Sequence, residues 1–112
     1  MKIVLAVHGG AWNIPDEQIE ANLAGIGTAL SAGWEALRGG DDAVDVVEGV
    51  IRILEDDVTF NAGRGSHLNR LGRVELDASL MEGDRLDAGA VAAVQRVRHP
   101  ISLARKVMEE SE

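Results

Sequence analysis

The sequence predicts an α/β chain of the layered α+β kind, with helices lying on one side of a sheet, and three observations predict it. A short β-branched apolar run, Ile3 to Val7, opens the chain. Two long stretches with apolar residues at helical spacing follow, separated by Gly39-Gly40. A pair of short strand-like runs bracketed by turn residues comes next, and a last helix closes the order.

"KIVLAV" is apolar throughout, as expected of a strand buried on both faces, and "HGGAW" ends it with two glycines that permit unusual backbone angles. Pro15, followed by Asp16, Glu17 and Glu20, reads as a helix start with acids at the positive end of the dipole. From there Ile19, Leu23, Ile26, Leu30, Trp34 and Leu37 form one apolar stripe. Asp41 or Asp42 is placed to cap a second helix with the stripe Ala43, Val47, Val50, Ile51 and Leu54. "VELDASLM" and "AGAVAAVQRV" read as two strands joined through "EGD", and Pro100 opens a helix from Ile101 to about Glu110. That helix barely finishes at the end of the chain, so nothing covers the other face of the sheet, and residues 1–112 read as a single partial domain of a larger fold.

Composition narrows the function. A formal net charge of −8 opposes nucleic-acid phosphates, so no nucleic-acid partner is expected. The absence of cysteine removes thiol chemistry and disulfides. The N-terminal apolar run is too short for a signal peptide or a membrane span, so no membrane partner and a cytoplasmic location are expected. No G-x-x-x-x-G-K-[ST] run exists, "GRGS" precedes a strand rather than a helix, and "HGGAWN" lacks the dinucleotide-binding spacing. His8, His67 and His99 share no ligand spacing; His8 reads as a turn-orienting residue and His99 as a loop residue before proline. The carboxylate pairs Asp41/Asp42 and Asp56/Asp57 sit at helix boundaries, where capping and solvation account for them, and Asp77 and Asp87 read as structural hydrogen-bonding groups.

The stretch "LEDDVTFNAGRGS" has two readings from its chemistry. It is a compact connection anchored by Phe60, or a turn whose successive carbonyl oxygens hold a hard cation. Arg64, Arg70 and Arg73 make a small basic cluster beside it.

"AVHGGAW", "DDAVDVVEGVIRILEDDVTFNAGRGS" and "VELDASLMEGDRLDAGAVAAVQRVRHPISLARKVMEES", in unbroken order, resemble the N-terminal half of the plant-type (type III) L-asparaginase / isoaspartyl peptidase family. These are N-terminal-nucleophile hydrolases. The resemblance implies an αββα sandwich of which this chain is the N-terminal portion. It implies a precursor that cuts itself before a threonine, whose new α-amino group serves as base for its own hydroxyl. That threonine attacks the side-chain amide of asparagine or the β-linked bond of an isoaspartyl dipeptide, and water releases aspartate from the acyl-enzyme. The only threonines here are Thr28 and Thr59, and neither lies in a "T-V-G-A-V" segment. The resemblance therefore implies no catalytic residue in this chain. It implies an α-subunit scaffold, a partner β-subunit beginning with the catalytic threonine, and an (αβ)₂ heterotetramer. The family's α-subunit continues past "VMEES", so the chain reads as short even for that role.

The same resemblance implies no organic cofactor and a structural sodium ion on the main-chain oxygens of Leu54, Glu55, Asp57, Phe60, Ala62 and Arg64. It makes Asn61 an active-site support that places water and the loop, and Gly9 and Gly10 a turn that flexes around the cleavage site, with Trp12 where relatives often carry a smaller residue. The competing readings are a catalytically inactive stand-alone fragment acting as a binding or regulatory module, and an anion-binding domain using "NAGRGS" and its arginines.

Overall fold

A computed structural model describes residues 2–111. It contains α1 (Asp16–Gly39), α2 (Ala43–Asp56), a single 3-10 turn (Gly63–Gly65), strands β1 (Leu76–Glu82) and β2 (Asp87–Val94), and α3 (Pro100–Glu110). The class is α+β: three helices and a two-stranded antiparallel sheet. No helix among the described residues is long and apolar enough to cross a membrane.

The N-terminal run departs from expectation. Residues 2–7 form no strand, because a strand needs a hydrogen-bonding neighbour and the sheet among the described residues holds only β1 and β2. Nor is the run buried on both faces: Leu5 and Val7 pack on the core, whereas Val4 is 73% exposed.

Helix α1 also packs differently from its apolar pattern. Its buried positions are Asn22, Gly25, Ala29 and Gly33, while Ile19, Leu23, Leu30 and Trp34 stay exposed. The cause is close approach. Small residues let α2 lie directly on α1, and a Cβ at Gly33 would collide with Val50. The resulting core joins Ala29 of α1 to Val46, Val50 and Leu54 of α2 and to Phe60 of the following loop. Ile51 reaches from this core to a second one, where Leu80 of β1 meets Ile101 and Met108 of α3.

Asp42 occupies the position before α2, as expected of a cap, but its side chain makes no capping hydrogen bond. The hairpin runs antiparallel from Glu82 opposite Asp87 to Leu76 opposite Val94. β1 starts at Leu76 rather than Val74, and β2 stops at Val94 rather than running on to Val97. Near the stop, Ala93 and Arg96 take left-handed backbone angles (φ 54° and 61°), which break an extended strand. Asp77 Oδ1 accepts the Ala93 N–H at 2.7 Å across the register shift, the structural role expected of it.

Helices α2 and α3 are tied by charge. Arg105 meets Asp45 at 2.6 Å, Glu48 at 2.6 Å and Glu109 at 2.7 Å. The Ser102 hydroxyl donates to Glu48 at 2.5 Å. Burial pushes the Glu48 carboxyl up, but the Ser102 and Arg105 hydrogen bonds outweigh it and hold the group below its ordinary value.

Candidate functional site

The loop after α2 is built around Phe60, which is 4% exposed. Its ring fits between two glycines: a Cβ at Gly9 would lie 2.9 Å from the ring, and one at Gly25 would lie 2.6 Å from it. The aromatic therefore pins the loop to both the His8–Trp12 turn and α1. Asp57 Oδ1 accepts the Thr59 N–H at 2.9 Å, and Asn61 Oδ1 accepts the His67 N–H at 2.9 Å. These two side-chain bonds take over where helical bonding ends, and they fix the loop's entry and exit.

Pinned in this way, the loop and the N-terminal turn form two walls of an open cleft of about 700 Å³. His8, Gly9, Gly10 and Trp12 lie on one side, Thr59, Phe60, Asn61 and His67 on the other, with Leu54 and Ile51 behind. Gly10 has φ 123°, a backbone angle that side-chain-bearing residues rarely adopt. Gly9, Gly10 and Asn61, far apart in sequence, thus share one cleft. Of the six carbonyl-bearing residues, Leu54, Phe60 and Ala62 line it, whereas Glu55, Asp57 and Arg64 do not.

Thr59 and two histidines are present, yet among the described residues no hydroxyl in the cleft hydrogen-bonds an imidazole or a carboxylate. The cleft holds shape and hydrogen-bonding groups but no assembled nucleophile–base pair.

The carbonyl groups read from the sequence as a cation loop belong to the backbone at the end of α2 and in the loop after it. Among the described residues no group of three His, Cys, Asp or Glu side chains could hold a metal. Gly63 and Gly65 instead form a cradle that a side chain would fill. A Cβ at Gly63 would lie 2.5 Å from the Glu55 carbonyl oxygen, and one at Gly65 would collide with the Phe60 carbonyl oxygen. Leu54, Asp57 and Ala62 each accept one backbone hydrogen bond (3.3, 3.3 and 3.1 Å), and each carbonyl keeps a second lone pair. Backbone carbonyls are neutral oxygen donors, the ligand type that hard cations take.

The side chain of Glu55 was not legible from sequence. It is 2% exposed, and its Oε1 accepts the Ile101 N–H of α3 at 3.0 Å, while Oε2 has no partner. Burial pushes its carboxyl above the ordinary value, against the Ile101 hydrogen bond. Next to it, His99 Nε2 and Arg98 Nε converge on Asp56 Oδ1 at 3.0 and 3.1 Å. Those bonds, from His99 first and then Arg98, hold the Asp56 carboxyl below its ordinary value. His99 sits in the loop before Pro100, as read from sequence, and its side chain also bonds α2 to the start of α3. No local pattern signals partners 43 residues apart.

A family model described as asparaginase matches residues 1–112. The chain is 50% identical over 112 residues to the isoaspartyl peptidase/L-asparaginase of Bos taurus, covering 99% of this chain and 36% of that protein. It is 49% identical over 111 residues to the plant-type L-asparaginase of Pyrococcus abyssi, covering 98% of this chain and 36% of that protein. It is 47% identical over 108 residues to the isoaspartyl peptidase/L-asparaginase of Danio rerio, covering 96% of this chain and 35% of that protein. The chain spans about a third of the length of the curated relatives it matches.

Proposed function

The chain belongs to the asparaginase family, and from that premise we propose that it is the N-terminal, α-subunit part of a threonine-dependent amidohydrolase acting on L-asparagine, β-aspartyl dipeptides or both. Its role is to build one wall of the active site and hold it rigid. The nucleophile comes from a β-subunit that begins with threonine, and the assembled enzyme is an (αβ)₂ dimer in the cytoplasm. The sheet is completed to an αββα sandwich by strands beyond this chain, one of them beside residues 2–7.

The observation that carries this reading is the 700 Å³ cleft itself: a glycine turn and an asparagine-bearing loop face each other, with no nucleophile–base pair between them among the described residues. In the reaction the entering threonine hydroxyl attacks the substrate carbonyl and its own α-amino group takes the proton. The amine leaves protonated, and water hydrolyses the acyl-enzyme to release aspartate. Asn61 belongs to the water-placing wall, and its bond to the His67 N–H keeps that wall in place. The carbonyls of Leu54, Glu55, Asp57, Phe60, Ala62 and Arg64 would hold a sodium ion, which supplies a fixed charge that stiffens the loop.

The test is aspartate release from L-asparagine and from a β-aspartyl dipeptide by the full-length protein. Asn61→Ala is expected to lower kcat by about tenfold to a hundredfold through misplacement of the loop and its water. No aspartate from either substrate would refute the reading.

A further inference from the structure

With nineteen acidic and eleven basic side chains, free positive charge is scarce in this chain, and the place where it gathers is informative. Among the described residues Arg38, Arg52, Arg85, Arg98, Arg105 and Lys106 each contact a carboxylate. Lys2, Arg64, Arg70, Arg73 and Arg96 have no ion-pair partner among the described residues, and two of them, Arg64 and Arg96, line one open cleft of about 580 Å³. Arg98 and Asp56 line it too, above an apolar floor that includes Val74 and Leu76.

Among the described residues Asp56 is the sole carboxylate lining this cleft, and it is already engaged by Arg98 and His99. Among the described residues three arginines line the cleft against one carboxylate, an excess of positive charge. They come from separate parts of the chain, Arg64 from the 3-10 turn and Arg96 and Arg98 from the segment after β2. Arg96 is held there in a left-handed backbone conformation (φ 61°), which is costly for a side-chain-bearing residue. The planar fork of a guanidinium matches two oxygens of a carboxylate or a phosphate.

We propose that the cleft ringed by Arg64, Arg96 and Arg98 is a binding site for a small dianionic oxyanion, a phosphate or a dicarboxylate. The site shares none of the lining residues of the cleft between the glycine turn and the Phe60 loop; it shares Arg64 with the proposed sodium loop, there through the carbonyl and here through the side chain.

The experiment is calorimetric titration of the full-length protein at low ionic strength, with inorganic phosphate in one arm and malonate in the other. One saturable site for at least one probe is expected. Arg64→Gln and Arg96→Gly should each weaken it by about tenfold or more, the loss of one charge-assisted hydrogen bond. Arg73→Gln, outside the cleft, should leave it unchanged. Arg96→Gly suits the left-handed backbone, so its melting temperature should not fall and lost binding would report the guanidinium. Binding of phosphate alone or of malonate alone assigns the ligand class. Absence of saturable binding in both arms, or binding that either substitution leaves unchanged, overturns the proposal.

Discussion

Phe60 holds the loop to the rest of the molecule, and a double-mutant cycle with Gly25 tests that directly. Replacing Phe60 with alanine empties a site that is 4% exposed, and a loss of about 3–5 kcal/mol is expected. Gly25 lies mid-helix in α1, where alanine would ordinarily gain about 1 kcal/mol in helix propensity. Here its Cβ would lie 2.6 and 2.8 Å from Phe60 ring carbons and 2.7 Å from Asp57 Oδ2. Overpacking of this kind costs about 1–3 kcal/mol, so Gly25→Ala alone should be neutral to destabilising. Without the Phe60 ring, only the Asp57 carboxylate remains in the way, and it can rotate. Gly25→Ala should then become stabilising in the Phe60→Ala background, with a coupling of about 1–3 kcal/mol. Guanidinium unfolding midpoints of the four full-length proteins measure this. An equal effect of Gly25→Ala in both backgrounds would refute the placement of the ring.

Three further outcomes are expected. Glu55 has a raised carboxyl pKa, so its stabilising contribution is complete below the ordinary value of 4.5 and is lost as pH rises through the raised value. Melting temperatures should therefore show Glu55→Gln gaining on the wild type between pH 4 and pH 8, and a constant difference would exclude a raised pKa. Glu48 and Asp56 work in the opposite sense: their lowered values give stability above 4.5 and 3.8 respectively, lost as pH falls through them. Arg105→Met should flatten the Glu48 part of that acid limb and lower stability by about 1 kcal/mol at low salt, with a smaller effect at high salt; thermal melts in both salts check it. Sodium chloride should raise the melting temperature above tetramethylammonium chloride of equal ionic strength, by the equivalent of about 1.4 kcal/mol at ten times Kd. Equal melting in the two salts would remove the cation from the loop.

Much of the local order was legible, because helix periodicity and turn residues are local signals. The placement of α1, α2 and α3, the hairpin and the anchoring role of Phe60 all follow from such signals. The buried face of α1 did not, because apolar spacing identifies Leu23 and Trp34, whereas contact with α2 is decided by the small residues Gly25, Ala29 and Gly33. The N-terminal run has strand composition but no ladder among the described residues, since pairing is a property of its neighbours. Within the candidate site, Gly9, Gly10 and Asn61 lie on one cleft, a proximity that no local spacing encodes. The buried Glu55–Ile101 bond and the grouping of Arg64 with Arg96 and Arg98 depend on long-range closure, which no spacing encodes.

The proposed function requires that these residues scaffold an active site whose nucleophile lies on another polypeptide made from the same precursor. The most direct test is the intact mass of every polypeptide in the purified full-length protein under denaturing conditions, with N-terminal sequencing of each. Two chains, the second beginning with threonine, together with aspartate release that is lost when that threonine is replaced by alanine, are predicted. A single uncut chain that still releases aspartate would contradict the claim.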